Sequence, residues 1–184
     1  MAEKKRCSWC NEKNPLYVDY HDKEWGVPDF RDAYLYEMLI LESFQAGLSW
    51  ECVLNKREAF RKAFDGFDRE KVCTYGEEKI TELLGNKGII RNKRKILASI
   101  ENSKIFNAIA EEFGSFYNYL RGFSGDTVRY ETGKTTNALS DAISADLQKR
   151  GMKFVGSTII YSYLQAIGII HSHEPECFLH KGNE

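Results

Sequence analysis

One stretch constrains the chain more than any other: Ala33-Tyr34-Leu35-Tyr36-Glu37-Met38-Leu39-Ile40-Leu41-Glu42-Ser43-Phe44-Gln45-Ala46-Gly47-Leu48-Ser49-Trp50. It is rich in good helix formers and meets no Gly or Pro before Gly47, so it predicts a helix that ends or turns sharply there. At the helical angular step, Leu35, Met38, Leu39 and Ala46 share a face with Glu42, Gln45 and Ser49 flank it, and Glu37 points away. Glu42 is therefore a carboxylate set into the apolar stripe of an amphipathic helix. An unpaired charge there is expensive or shifts its pKa. Two arrangements satisfy it. Either an Arg elsewhere in the core pairs with it, or it lines a polar pocket. In the second case carboxylate, amide and the Trp50 ring would suit a flat, hydrogen-bonding ligand such as a nucleobase.

A chain of 184 residues is long enough to bury a substantial core, and it reads as one domain over residues 1–184. Its parts are an N-terminal arm (1–30), a helical body (31–137), a hairpin region (140–170) and a tail (171–184). No apolar run reaches the roughly 18 residues of a membrane span, so no membrane partner is expected. The start, Met1-Ala2-Glu3-Lys4-Lys5-Arg6, runs into Cys7 without an apolar signal region, which predicts a cytoplasmic location. The five Cys (Cys7, Cys10, Cys52, Cys73, Cys177) are odd in number, so metal binding is expected ahead of a disulfide framework. A net charge of −1 makes no global case for nucleic acid and excludes none, because binding depends on where charge sits.

The arm from Arg6 to Pro28 shows little helical or strand periodicity, yet it carries Trp9, Tyr17, Tyr20 and Trp25. Aromatics in an irregular segment must pack on something, and the arm is expected to fold over the Glu42 helix. Further helices are predicted at Glu51–Phe64, at Arg69–Thr74 behind an Asp68 cap, and at Glu77–Leu84. A long one opens at the cap Asn92 and stops at Gly114, with Ile96, Leu97, Ile100, Ile105, Phe106, Ile109 and Phe113 at helical spacing. Residues 121–137, with three Gly, predict a surface loop or lid, and no strand series is visible.

Ser140 or Asp141 opens another helix to Arg150, and an apolar helix spans Ile159–Ile167. Between them lies Gly151-Met152-Lys153-Phe154-Val155-Gly156-Ser157-Thr158. Two helices joined by a short glycine-bounded turn resemble a helix-hairpin-helix DNA-binding motif. Gly156 permits close backbone approach, and the free N–H groups opening the second helix can hold a phosphate. Lys149, Arg150 and Lys153 add charge there, and Arg91, Lys93, Arg94 and Lys95 form a second basic cluster. An ordinary helical hairpin with solvated basic residues gives the same pattern. In the tail, His171, His173 and Cys177 offer half of a zinc site, and Cys7, Cys10 and His21 offer the other half. Such a zinc would tie the chain ends together and, with four protein ligands, would be structural.

Three segments, Tyr17-Val-Asp-Tyr20-His21-Asp-Lys-Glu24-Trp25-Gly26, Leu41-Glu42 with Gln45-Ala46-Gly47-Leu48-Ser49-Trp50, and Lys153-Phe154-Val155-Gly156, together resemble the type I 3-methyladenine DNA glycosylases. The likeness runs in order from Arg6 to Cys177. It implies an all-α helix-hairpin-helix glycosylase fold with termini joined by a structural zinc on Cys7, His21, His173 and Cys177. It also implies a pocket for a flipped base made by Trp9, Tyr17, Tyr20, Glu42 and Trp50, with Trp25 in support and Glu42 and Tyr20 as the catalytic residues. Gly47-Leu48 would press into DNA where the lesion leaves the stack, while Lys153, Gly156, Ser157 and Thr158 would contact the backbone. The implied partner is duplex DNA carrying alkylated bases, met by a monomer. Three residues depart from the family pattern: Cys10 and His171 compete for the metal, and Phe44 stands where a polar residue is common and would alter the DNA-facing surface. The competing reading is a non-catalytic DNA-binding protein with a structural zinc. A zinc deaminase is disfavoured, since its His-x-Glu and Pro-Cys-x-x-Cys signature is absent.

Overall fold

The Glu42 helix forms as expected but sits deeper than a single apolar stripe allows. In the computed structural model, which describes residues 4–181, it spans Asp32–Gln45 and buries Leu35, Tyr36, Met38, Leu39, Ile40, Leu41 and Phe44 completely. It is thus the second helix of the chain, α2, enclosed on nearly all sides. The first, α1, spans Pro15–Lys23. After α2 come α3 (Trp50–Leu54), α4 (Arg57–Ala63), a 3-10 turn at Asp65–Phe67, α5 (Arg69–Val72), α6 (Glu77–Gly85) and α7 (Lys93–Phe113). Then follow α8 (Phe116–Ser124), β1 (Arg129–Tyr130), α9 (Ala138–Lys149), α10 (Ser157–Ala166) and β2 (Ile170–His171). The molecule is mostly helical, and α2 packs against α3, α7, α8 and α10. The two short strands pair in parallel, Arg129 beside Ile170 and Tyr130 beside His171. Residues 1–3 of the arm and 182–184 of the tail lie outside the described residues.

Several expected boundaries move, each for a local reason. The arm is not irregular throughout: Asn14 Oδ1 accepts the Leu16 N–H at 3.2 Å and Pro15 occupies the first turn, so α1 forms. Tyr17, Tyr20 and His21 are its buried face, a helical spacing too short to stand out as periodicity. The stretch 51–64 breaks into α3 and α4 at Asn55-Lys56, with Ser49 capping α3. The first residues of the expected 121–137 loop belong instead to α8. α9 begins at Ala138 rather than at Ser140, which as the third residue of the helix closes a capping box with Asn137, exchanging hydrogen bonds at 2.8 and 2.9 Å. Asn92 caps α7 and Gly114 ends it in the left-handed conformation, as expected.

Glu37, which points away from the Glu42 face, pairs with Arg57 at 2.6 Å and with Arg61 at 2.8 Å. Arg57 also reaches Glu24 at 2.7 Å, tying the end of α1 to α2 and α4. The hairpin turn before α10 is clamped to α7: buried Asn102 donates to the Lys153 carbonyl and accepts the Lys153 N–H, both at 2.9 Å. Ser144 Oγ donates to the Val155 carbonyl at 2.7 Å. These bonds hold Phe154 at a φ of +57°, a conformation that costs a non-glycine residue about 1–2 kcal/mol.

Gly168 sits where α10 meets the arm, at a φ of +81°. A Cβ there would lie 2.5 Å from the Pro28 backbone nitrogen. Backbone cannot yield as a side chain can, so Gly168→Ala is expected to destabilise the protein by about 2–3 kcal/mol. Urea unfolding of parent and variant measures it, and equal midpoints would show that the arm is not held against Gly168.

Candidate functional site

A cavity of about 470 Å³ opens between the arm, the C-terminal end of α2, α10 and the loop around Gly133. Trp9, Tyr17, Tyr20, Trp25, Glu42 and Trp50 line it, so the structure brings together the aromatic and acidic residues singled out from sequence. Tyr20 and Trp50 lie 5.4 Å apart between ring centres, and Trp9 packs edge-on to Trp25 at 4.7 Å. Glu42 is only 2 % exposed. Among the described residues it makes no ion pair, and its Oε2 has no hydrogen-bond partner. The core Arg that could have neutralised it is engaged with Glu24 and Glu37 instead. Gln45 Oε1 and Trp50 Nε1 are likewise buried and unpartnered. Three orphaned polar atoms around one cavity are costly to the protein alone, and a ligand presenting donors and acceptors along an edge would satisfy them.

Burial sets the electrostatics. It pushes the Glu42 carboxyl well above the ordinary carboxylate range. The Tyr20 phenol is also pushed up, first by burial and then by the neighbouring Glu42 charge, so it remains a neutral donor. Tyr17 rises to about 12, mainly by burial. A cation entering the cavity would reverse the pressure on Glu42 and favour its charged form.

Beside the cavity, Cys7, His21, His173 and Cys177 converge, all buried, with their ligand atoms within 4.8 Å of one another. Cys7 Sγ and Cys177 Sγ each lie 3.5 Å from His173 Nδ1, and Cys177 Sγ lies 3.5 Å from His21 Nε2. These four side chains could hold a metal ion. Their outer contacts suit one. His21 Nδ1 meets Asp22 at 2.9 Å, and Arg6 grips the same carboxylate through two bonds and holds it down at about 2. The His173 ring faces the Trp25 carbonyl, and the N–H groups of Glu174 and Leu179 point at the two sulfurs. Burial first, and then the neighbouring Cys177, pushes the Cys7 thiol up to about 12 against the Glu174 N–H that lowers it, and burial with the neighbouring His21 and His171 pushes the His173 imidazole down to about 4. Cys10 stands apart, its Sγ directed at the Tyr17 carbonyl, and His171 faces the Leu179 carbonyl. The cluster also touches the cavity wall, since Trp9 packs on His21 and Trp25 on His173.

The remaining expected residues lie at two exposed turns. Gly47, at a φ of +77°, turns the chain out of α2 and leaves Leu48 42 % exposed between the cavity residues Gln45 and Trp50. Lys153, Gly156 and Thr158 are exposed at the hairpin turn, outside the cavity. The Ser157 hydroxyl is already used, donating to Asp141 at 2.5 Å, so only its backbone N–H is free for an anion. Two expectations fail. Phe44 does not face outward; it is fully buried against Phe60 and Phe64. Lys95 is not part of an exposed basic cluster either, because it is buried and donates to the Phe44 and Ala46 carbonyls. Sequence reasoning missed Ser162, Gln165, Ser172 and Glu174, which line the cavity. Ser162 and Gln165 interrupt the apolar α10 as Glu42 interrupts α2, and that signal could have found them.

Comparison with known proteins follows the same lines. Residues 9–180 match the methyladenine glycosylase family. DNA-3-methyladenine glycosylase 1 of Escherichia coli K12 is 41 % identical over 97 % of this chain and 98 % of its own length. DNA-3-methyladenine glycosylase of Haemophilus influenzae is 36 % identical over 94 % and 96 %. Among solved structures, 3-methyladenine DNA glycosylase I from Staphylococcus aureus, described for its recognition of 3-methyladenine, superposes with a TM-score of 0.88. It is 29 % identical, with 96 % of this chain and 98 % of that chain covered. A cavity with a partnerless carboxylate between aromatic rings, on a fold shared over nearly the whole length, makes this chain a member of the methyladenine glycosylase family.

Proposed function

We propose that this chain hydrolyses the N-glycosidic bond of 3-methyladenine in alkylated duplex DNA, acting as a monomer and leaving an abasic site for base-excision repair. The observation that carries this reading is the buried Glu42 without a protein partner, walled by Trp and Tyr rings. In DNA, 3-methyladenine carries a positive charge, pairs poorly and holds its sugar by an already weakened bond. Extruding it is cheaper than extruding an undamaged base, and departure needs no strong acid because the base leaves neutral. The charge selects the base. Burial disfavours the Glu42 carboxylate in the empty cavity, and a cationic adenine offsets that penalty where neutral adenine does not. The rings of Trp9, Tyr17, Tyr20 and Trp50 line the same cavity, with Trp25 packed edge-on to Trp9, and aromatic rings attract a cation. Glu42 and Tyr20 are the residues assigned to touch the reacting base.

The exposed Leu48 is assigned to fill the gap left in the base stack, and Lys153 with the N–H groups of Gly156, Ser157 and Thr158 to grip a phosphate. In this reading α9, the clamped turn and α10 are the DNA-binding hairpin of an all-α glycosylase. A non-catalytic DNA-binding protein would have no use for the cavity.

The Cys7, His21, His173 and Cys177 cluster is assigned to structural zinc. A tetrahedral zinc with ordinary bond lengths sets sulfur and nitrogen about 3.5 Å apart, which the 3.5 Å separations between Cys and His match. Zinc would supply a cross-link between the two ends of the chain, with no position left for water. The residues around it then hold Trp9 and Trp25 in the cavity wall.

Purified protein is expected to contain one zinc per chain, and Cys177→Ser to lower its melting temperature and expose the arm to protease. Absence of zinc together with parent-like melting of Cys177→Ser would remove the metal from the structure.

Lys153→Ala should weaken binding to damaged and undamaged duplex alike and reduce the salt slope by about one phosphate contact. A loss confined to lesion-bearing DNA would place Lys153 with the base instead.

Glu42→Gln keeps the shape and removes the charge. Single-turnover excision of 3-methyladenine should fall ~10- to 100-fold, the worth of one charge-assisted hydrogen bond of about 1.5–3 kcal/mol. Affinity for the free, neutral base should fall less. If excision and binding both stay at the parent level, Glu42 takes no part in recognition and the proposal loses its main support.

A further inference from the structure

The first turn of α7 carries one cation that DNA cannot reach. Arg91, Lys93 and Arg94 are exposed, whereas Lys95 is buried. Its ammonium has no carboxylate beside it among the described residues, and burial lowers its pKa. It donates at 2.7 Å to the Phe44 carbonyl and at 2.6 Å to the Ala46 carbonyl, and it lies 5.8 Å from the centre of the Phe154 ring. Phe44 and Ala46 are at the end of α2, where helix carbonyls lack intrahelical partners and the dipole is negative. A buried ammonium is satisfied there as it would be by an anion. Phe154 belongs to the hairpin turn. Two helical turns further along α7, Asn102 grips that same turn through both the N–H and the C=O of Lys153. One face of one helix therefore holds both exposed turns.

We infer that Lys95 is a positioning residue for base extrusion, fixing the Gly47-Leu48 turn in register with the hairpin turn at Lys153–Gly156. Leu48 then enters the duplex at the nucleotide whose backbone the hairpin holds. The inference rests on the proposed reaction and extends it to a residue that does not line the cavity. The register matters because an extruding side chain displaced by about 1 Å can lose on the order of 100-fold in rate with no change in the groups that touch the base.

The test is a double-mutant cycle with Lys95→Met and Leu48→Ala, measured as single-turnover excision from saturating duplex, beside titration with free 3-methyladenine and with undamaged duplex. Lys95→Met is expected to slow excision ~10- to 100-fold while free-base affinity stays within about two-fold of the parent. In the Leu48→Ala background, where no apolar side chain remains to be placed, Lys95→Met should cost little more. Independent, multiplying losses in the double variant would overturn the inference, as would excision at the parent rate or a loss of free-base affinity as large as the loss of rate. Should Lys95→Met not fold, Lys95→Gln, which keeps an amide donor without the charge, takes its place in the same cycle. Failure of the proposed reaction itself is visible separately, as parent protein that releases no base.

Discussion

The rest of the molecule is arranged around the burial of one carboxylate. Glu42 is held on a helix packed by α3, α7, α8 and α10, so it cannot swing into water to recover its solvation. A protein accepts such a penalty only if the surrounding packing outweighs it, and the fully buried apolar residues of α2 provide that packing. The result is a group whose interactions the fold leaves incomplete. Because helix, carboxylate and rings are already in place, little reorganisation is left for the moment of binding.

The cavity and the Cys/His cluster share walls, which links stability to function. Trp9 rests on His21, and Trp25 rests on His173. His21 belongs to α1, whose Tyr17 and Tyr20 face the cavity. Loosening the cluster therefore releases one side of the site without touching Glu42. The Arg6–Asp22–His21 chain carries the same coupling outward to the surface of the arm.

The long helix α7 plays the corresponding part at the two exposed turns, Gly47-Leu48 and Lys153–Gly156. Lys95 and Asn102 bind backbone rather than side chains, so they fix the path of the chain at two turns whatever residues those turns display. Phe154 keeps a strained backbone conformation there, held by bonds from Asn102 and Ser144 on either side.

Local chemistry was legible from residues alone. An acid in an apolar helix, Asn92 as a cap, Gly114 as a stop and a Gly-bounded hairpin are written in short-range pattern, because capping and periodicity are intrachain effects. So was the stock of metal-ligating residues, although not which of them meet: Cys10 and His171 have the right chemistry and the wrong direction. Tertiary structure decided the rest. Whether α2 buries one face or all of them depends on what surrounds it, which is why Phe44 proved to be core and Glu37 a partner for two arginines. Lys95 looked like one of four surface charges until α7 was laid against the end of α2. Sequence by itself determined which groups could do chemistry; only packing decided which were left without partners, since a buried polar atom is orphaned or satisfied by neighbours distant along the chain.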